Sequence, residues 1–290
     1  MNQEKRNAII MAAGTSSRFV PLSAERPKGL LEVKGEILVE RQIRQLREAG
    51  VEDITIVTGY MADAFEYLKK KFGVGIIYNG DYARYNNTSS LIRVLDRLDN
   101  TFICSSDNYF PGNVFLLKSR SSYYSSLYAS GPTDEYCIET DSDDNITAVN
   151  VGGKDSWYMV GHVYFSSEFS RRFSEILRNE YDKEETRYGY WEDVYIRHID
   201  NLPKIKIRRY KPLEINEFDT LDELRKFDKS YILDTRSTII KDIARKMGCT
   251  EAQLYGFHKR NTPGGEAGFS FKKDGRIFCY DNRDKSISEL

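Results

Sequence analysis

Ala8-Ile9-Ile10-Met11-Ala12-Ala13-Gly14-Thr15-Ser16-Ser17-Arg18-Phe19-Val20-Pro21-Leu22-Ser23-Ala24-Glu25-Arg26-Pro27-Lys28-Gly29-Leu30 decides the reading of this chain. The apolar run Ala8–Met11 has the composition of a strand buried on both faces of a parallel sheet. It breaks at Ala12-Ala13-Gly14 into the small polar loop Thr15-Ser16-Ser17, where backbone N–H groups can approach an anion closely. Arg18 and Lys28 follow, with Pro21 and Pro27 stiffening the segment between them. A strand, a small-residue loop, an arginine and a lysine in that order read as a cradle for a triphosphate. The loop lacks the Gly-Lys-Ser/Thr of a Walker A motif and the Gly-x-Gly-x-x-Gly of a dinucleotide turn.

Working outward, Ile37–Ala49 has helical apolar spacing and Gly50 stops it. Asp53–Val57 reads as a strand, Ala62–Lys71 as an amphipathic helix and Val74–Tyr78 as a strand. Alternation at this spacing implies βαβ units and a mainly parallel sheet with right-handed crossovers. Ligands bind in such sheets at the carboxyl ends of the strands, where Gly14 and Gly59 fall. Asn86–Ser90 offers helix-capping chemistry ahead of Leu91. The strand Thr101–Cys104 then delivers Asp107 just past its end, a position suited to a metal-holding carboxylate. Between Tyr123 and Phe165 the pattern becomes short alternating runs broken at 131–134, 141–145 and 152–155, the mark of an antiparallel insertion. Helices are expected over Phe169–Tyr181 and from Tyr188 to about His198, a strand over Ile205–Lys211, and a helix capped by Thr220. The fold class is α/β: a Rossmann-like, mixed and mainly parallel sheet with an antiparallel insertion, plus a small α+β C-terminal appendage.

Composition bounds the function. The 290 residues contain 43 basic and 44 acidic side chains, so no global field favours nucleic acid or an anionic membrane. No apolar run approaches a membrane span and the N-terminus lacks a signal-peptide core, so a cytoplasmic protein without membrane insertion is expected. Cys104, Cys137, Cys249 and Cys279 are widely spaced and read as reduced, mostly buried thiols. With only three histidines (His162, His198, His258, read as structural), a mechanism without a protein general base is favoured.

A triphosphate on the opening loop calls for charge neutralisation at the α-phosphate. Asp107 and Asp219 are the expected Mg²⁺ ligands, with Lys28 and Arg18 the catalytic cations; Asp222 and Glu223 read as helix-face charges. An attacking phosphomonoester, with a second pKa near ~6, is already a nucleophile at neutral pH. What carries that phosphate is suggested by the 20 tyrosines. Tyr188, Tyr190 and Trp191 sit beside Glu192 and Asp193, and Tyr136 follows Glu135. Aromatic faces with carboxylates suit a quaternary ammonium or an amine. Backbone near Ala13 and Gly14, with Asn87, is the expected seat of the base, which spacing alone does not assign between cytosine and uracil.

The string Gly14, Ser16, Arg18, Pro27 and Lys28 resembles the signature of nucleotidyltransferases that activate sugar 1-phosphates and phospho-alcohols. Over roughly residues 7–230 the chain is similar to the bacterial CTP:phosphocholine cytidylyltransferases. The matching elements are Ala12-Ala13-Gly14 with Arg18, Pro27-Lys28, Thr58-Gly59-Tyr60, Tyr85-Asn86-Asn87 with Ser90-Leu91, Asp107-Asn108-Tyr109, Tyr190-Trp191 with the acidic residue after it, and Glu217-Phe218-Asp219. The resemblance implies nucleotide contacts at Ala12, Ala13, Gly14, Thr15, Ser16, Arg18, Lys28, Tyr60, Asn87 and Ser90. It implies metal ligation by Asp107 and Asp219, and an acceptor pocket of Tyr136, Tyr190, Trp191 and Glu192. The family often has tryptophan where Tyr136 stands, and relatives that activate aminoethylphosphonate share most of this skeleton. The expected partners are CTP and a small phospho-alcohol, with a homodimer as the one candidate assembly. A sugar-1-phosphate nucleotidyltransferase and a catalytically dead nucleotide-binding regulator are the alternatives; the aromatic cluster argues against the first and intact Lys28, Asp107 and Asp219 against the second.

The domain boundary is expected at 232/233. Residues 233–290 carry a helix over Ile239–Met247, a Gly264-Gly265 loop and a hairpin around Asp274-Gly275. They resemble the opening of a choline-kinase-like small lobe, without its catalytic segment, and are expected to serve as a packing or dimerisation piece.

Overall fold

The computed structural model describes residues 5–116, 119–261 and 267–290; the Gly264-Gly265 loop lies outside them. In chain order the strands are β1 (Asn7–Ala12), β2 (Glu32–Val33), β3 (Glu36–Ile37), β4 (Asp53–Thr58), β5 (Gly75–Tyr78), β6 (Thr101–Ser105), β7 (Tyr123–Thr140), β8 (Ile146–Phe165), β9 (Lys206–Arg209), β10 (Tyr255–Asn261), β11 (Ala267–Lys273), β12 (Arg276–Tyr280) and β13 (Ile287–Glu289). The α-helices are α1 (Leu38–Glu48), α2 (Tyr67–Phe72), α3 (Thr88–Leu91), α4 (Ser167–Glu180), α5 (Glu184–Tyr188), α6 (Trp191–Arg197), α7 (Leu221–Phe227), α8 (Ser230–Leu233) and α9 (Thr238–Lys246). Two compact units form. The first comprises residues up to Gly14 with Ile37–Glu217; the second comprises Thr15–Glu36 with Phe218–Leu290.

The first unit is built on a seven-stranded sheet in the order β5-β4-β1-β6-β8-β7-β9. β5, β4, β1 and β6 are parallel, β8 runs antiparallel to β6, and β9 runs parallel to β7. β1, β4 and β6 read as apolar runs because both their faces are buried, as Ile9, Ile10, Ile56, Val57 and Phe102 show, whereas β5 at the sheet edge is partly exposed. Ala12 pairs with Thr58 and Met11 with Ser105, so three strands end together at one carboxyl edge.

The antiparallel part is more continuous than its sequence suggests. The four expected runs form two long strands, β7 and β8, joined by one turn at 141–145. The segments around 131–134 and 152–155 do not turn but face each other as irregular ladder, with Pro132 opposite Lys154 and Thr133 opposite Gly153. Gly131 (φ 90°), Gly152 (φ 78°) and Asp155 (φ 51°) absorb the extra twist of these bulges. The helix expected from Tyr188 is also two: Tyr188 closes α5, and α6 starts at Trp191. Likewise 62–71 divides into a single 3₁₀ turn at Ala62–Phe65 and α2, which still bury Phe65 and Leu68 as the apolar spacing requires.

The core of this unit is aromatic. Phe165, Phe169, Phe173, Trp191 and Tyr195 pack where α4 and α6 meet the sheet. A second cage, of Phe102, Phe110, Phe115, Tyr123 and Tyr210, encloses His162.

In the second unit, β10 to β13 form a sequential antiparallel sheet. Asp274 (φ 51°) and Gly275 (φ 77°) make the expected two-residue turn between β11 and β12. Phe257, Phe269, Phe271 and Tyr280 are buried and stack upon one another. Gly268 has no room for a side chain, since a Cβ there would stand 2.4 Å from the Tyr280 carbonyl oxygen. Arg225, buried on α7, donates to the carbonyls of Tyr231, Glu251 and Leu254 and so ties α7, α8 and the turn before β10 together. Among the described residues no helix is long and apolar enough to cross a membrane.

His162 predicts a pH dependence of stability. Its ring is enclosed with Ser125 Oγ at 3.1 Å and Tyr123 Oη at 3.3 Å, and burial, helped by the Arg208 charge, lowers its pKa from 6.5 to about 3. The unfolded chain therefore binds a proton that the folded chain refuses, and stability is lost as pH falls below 6.5, by up to ~1.4 kcal/mol per pH unit. Urea unfolding between pH 7 and 4.5 should show a shallower decline for His162→Gln than for the wild type. Parallel declines would refute the assignment.

Candidate active site

The carboxyl edge of the first unit collects one group of expected residues. The Tyr60 amide donates to the Ala13 carbonyl at 3.0 Å, and the Ser106 amide to the Met11 carbonyl at 3.1 Å. The ends of β1, β4 and β6 are thereby stitched together, with Ala12 closing β1 and Ala13, Gly14, Tyr60 and Asp107 in the loops beyond. Gly59 is required for that approach: a Cβ would lie 2.6 Å from Tyr82 Cβ and 2.8 Å from the Ala13 oxygen. At Gly14 a Cβ would meet nothing within 4 Å, so space is open on that side of the loop. The turn carrying Asp107 is braced from two directions. Gln42 on α1 donates to the carbonyls of Ser105 and Asn108, and Tyr109 exchanges backbone hydrogen bonds with Asn216. Asn108 also donates to Glu217 at 3.2 Å.

A hydrogen-bonded chain runs from the same edge to the aromatic–acid cluster. The amide of buried Asn79 donates to the Thr58 carbonyl, and its side chain donates to Ser89 and Ser90 on α3 at 2.9 Å each. Ser90 is buried in this contact. Asn87, at the start of α3, does not cap its own helix with its side chain. Its Oδ1 instead accepts from the Trp191 amide at 2.9 Å, and its Nδ2 donates to Glu192 at 3.2 Å. Asn87 thus caps the start of α6, more than a hundred residues away in sequence, because the first amides of that helix lack partners within it.

α6 presents the cluster. Glu192 accepts from Tyr124 Oη at 3.1 Å and from Asn87, and Asp193 accepts from Tyr136 Oη at 2.8 Å and from the Tyr190 amide at 2.8 Å. The rings of Tyr136 and Tyr190 stand edge to face, 6.4 Å apart at 82°. Tyr190 is 46% exposed, so its ring is open to a ligand. Trp191 is placed otherwise: its indole is buried, stacked on Tyr124 and edge-on to Phe165 and Phe173. Burial raises the Glu192 pKa to about 7, against the lowering effect of its hydrogen-bond donors and with a further upward push from Asp193. Tyr124, Asp193 and Asn79 take part in this arrangement although the expected site omits them. Tyr124 occupies a strand position that reads as core, and only the fold aims its hydroxyl at Glu192.

The second unit holds the cations. Thr15 and Ser16 open its loop, and Ser16 takes a left-handed conformation (φ 49°, ψ 42°) that directs the chain into the turn Ser17–Phe19. Asp219 bridges the two expected catalytic cations: Arg18 Nη1 lies 2.8 Å from Oδ2, and Lys28 Nζ lies 3.5 Å from Oδ1. Lys28 is 5% exposed and approaches the Phe19 ring at 5.9 Å, whereas Arg18 is open to solvent. Asp219 is fixed by the start of α7. Its amide and that of Thr220 donate to Glu223, whose own amide donates to Thr220 Oγ1. Glu223 is therefore half of a capping box and not the helix-face charge expected from sequence.

The remaining ionisable candidates are structural. His162 is caged, His198 pairs with Glu180 at 2.9 Å, and all four cysteines are free thiols, with Cys104 and Cys137 buried and Cys249 and Cys279 partly exposed. Among the described residues no group of three or more His, Cys, Asp or Glu is arranged to hold a metal ion.

The MobA-like NTP transferase domain matches residues 8–128. The 2-aminoethylphosphonate cytidylyltransferase of Lancefieldella rimae is 35% identical over 241 residues, covering 81% of this chain and 97% of its own. The choline-phosphate cytidylyltransferase of Streptococcus pneumoniae is 31% identical over 222 residues, covering 77% of this chain and 96% of its own. The solved structure of CTP:phosphocholine cytidylyltransferase from Streptococcus pneumoniae superposes with a TM-score of 0.73 at 30% identity, covering 78% of this chain and 99% of that one. With its mainly parallel sheet, its signature loop and relatives matched over nearly their whole length, this chain belongs to the nucleotidyltransferase family that contains the choline-phosphate and 2-aminoethylphosphonate cytidylyltransferases.

Proposed function

We propose that the protein transfers the cytidylyl group of CTP to the phosphate of phosphocholine or to the phosphonate of a similar small amino compound, releasing pyrophosphate. The observation that carries this reading is the pairing of Tyr136 and Tyr190, set edge to face, with the carboxylates of Glu192 and Asp193. Aromatic faces and anionic oxygens together attract an ammonium group, each face by about 0.5–2 kcal/mol. The cytidylyltransferase relatives, matched over nearly their full length, favour this acceptor class over a sugar 1-phosphate.

In this reading an oxygen of the acceptor phosphate attacks the α-phosphorus of CTP. The new O–P bond forms as the bond to the β-phosphate oxygen breaks, and pyrophosphate carries away the electron pair. No protein nucleophile is needed, because the acceptor is largely dianionic at neutral pH. Ala12, Ala13, Gly14, Thr15 and Ser16 would offer backbone and hydroxyl donors to the nucleotide, and Tyr60 would contact it as well. Arg18 and Lys28 would offset charge on the α-phosphate and on the departing pyrophosphate. Asn87 and Ser90, held in the chain from Asn79 to Glu192, would support the acceptor pocket from beneath, and Trp191, buried behind Tyr124, would back it from the core without touching the acceptor.

Asp107 and Asp219 would hold Mg²⁺. Two carboxylates are a sufficient donor set, since magnesium takes one or two with substrate phosphates and keeps several waters. The ion supplies charge neutralisation for the phosphates. A cytoplasmic enzyme is in keeping with four free thiols. Residues 233–290 would be an appendage to a nucleotidyltransferase domain spanning 1–232. In support, the relatives cover 75–81% of this chain and 94–97% of their own.

Two measurements test the reading. Pyrophosphate release with CTP, Mg²⁺ and phosphocholine should fall about 10²–10³-fold in Asp107→Ala, the usual loss when one charge-stabilising group is removed; an unchanged rate would remove the metal assignment. Glu192 gives a pH signature. With a pKa of about 7 it is anionic above that pH and neutral below it. The KM for phosphocholine should therefore rise as pH falls from 8 to 6 by more than the acceptor's own protonation (second pKa ~6) explains, while Glu192→Gln holds a high KM that shows only that acceptor contribution of about twofold. A wild-type slope that survives in Glu192→Gln would place the titrating group elsewhere.

A further inference from the structure

Residues following α7 take hold of the signature loop inside the second unit. Glu25, between Arg18 and Lys28 in sequence, sits at the start of α9. Its Oε1 accepts from the Thr238 amide at 2.7 Å, from the Ile239 amide at 3.3 Å and from the Thr238 hydroxyl. Its Oε2 is buried with no hydrogen-bond partner among the described residues, so the carboxylate answers chiefly to the helix end. α9 does not need Glu25 in order to be capped, because Ser237 Oγ already accepts from the Ile240 amide. The contact is better understood in the other direction, as a hold on the loop.

Further ties lie on the same segment. Tyr231 Oη donates to the Glu32 carbonyl at 2.7 Å, and Arg236 reaches the Glu32 carboxylate at 3.4 Å while stacking on the Tyr231 ring. The Lys34 amide donates to Asp228 at 2.7 Å. The turn Ser17–Phe19, which contains Arg18, packs on β10. Arg18 and Lys28 are joined by a stretch with almost no regular hydrogen-bonded structure of its own, a single 3₁₀ turn at Leu22–Ala24, and a second such turn begins at Lys28. The relatives leave about a fifth of this chain unmatched while being covered almost entirely themselves.

We propose that Glu25 is a positioning residue: by anchoring to α9 it fixes the loop that presents Arg18 and Lys28, and the segment beginning at α9 thereby sets nucleotide affinity. This rests on the reading that the loop holds the triphosphate. A charge displaced by a loosened loop contributes less to a bound anion, because the interaction falls with distance and with solvation. The acceptor cluster of the first unit contains no part of this contact.

The full-length protein is tested as wild type, Glu25→Ala, Glu25→Gln and the double variant Glu25→Ala/Thr238→Asp. The aspartate in the first turn of α9 restores a negative charge to that helix end without reconnecting the loop. Amide hydrogen exchange over residues 15–36, without nucleotide, should quicken in Glu25→Ala. The KM for CTP, from pyrophosphate release at saturating phosphocholine, should rise about tenfold, as loss of ~1.4 kcal/mol would produce, while the KM for phosphocholine stays within about twofold of wild type. Glu25→Gln, which keeps an acceptor but no charge, should fall between and guards against a misfolded alanine variant. The double variant should recover the melting temperature but not the KM for CTP. Recovery of both, or unchanged exchange and KM in Glu25→Ala, would overturn the proposal. If the wild type itself releases no pyrophosphate from CTP, the functional reading fails, and the exchange of residues 15–36 alone decides whether Glu25 anchors the loop.

Discussion

A lysine ammonium buried to 5% exposure is the constraint on which the signature loop depends. Removing such a charge from water is costly unless an opposite charge and hydrogen bonds replace the lost hydration. Asp219 is that replacement, and it serves Arg18 at the same time. One carboxylate is thus shared between two cations. The capping box of Thr220 and Glu223 holds Asp219 at the start of α7, so the geometry of two distant loop residues is set by a helix end some two hundred residues further along the chain.

The opposite electrostatic design governs the acceptor cluster. Among the described residues no cation pairs with the two adjacent carboxylates on α6; phenol hydroxyls, one side-chain amide and one backbone amide serve them instead. Neutral donors hold the oxygens in place without cancelling their charge. Burial, with a smaller push from Asp193, outweighs the lowering effect of those donors and leaves the Glu192 pKa at about 7. Tyr136 contributes twice, as a ring beside Tyr190 and as the hydroxyl that fixes Asp193.

The strands β1, β4 and β6 were legible because both their faces are buried, which leaves apolar runs. The arrangement of β7 and β8 was less so. Glycine and aspartate at 131–134 and 152–155 signal left-handed backbone, but a bulge and a turn need the same residues, and only the ladder between the strands separates them. Trp191 illustrates a second limit. An aromatic next to an acid reads as pocket, yet the helix direction at α6 turns Glu192 towards Tyr124 and the indole into the core.

By itself the sequence determined the α/β class, the family signature from Gly14 to Lys28, and the residue types of the aromatic–acid cluster. These follow from local pattern: apolar runs, loop composition, and aromatics beside carboxylates. Only the tertiary structure decided that Asn87 caps α6, that Tyr124 holds Glu192, that Asp219 bridges Arg18 with Lys28, and that Glu25 anchors to α9. Each of these is a hydrogen bond or ion pair between groups far apart in the chain. Its strength depends on burial and distance, which no local pattern of residues encodes.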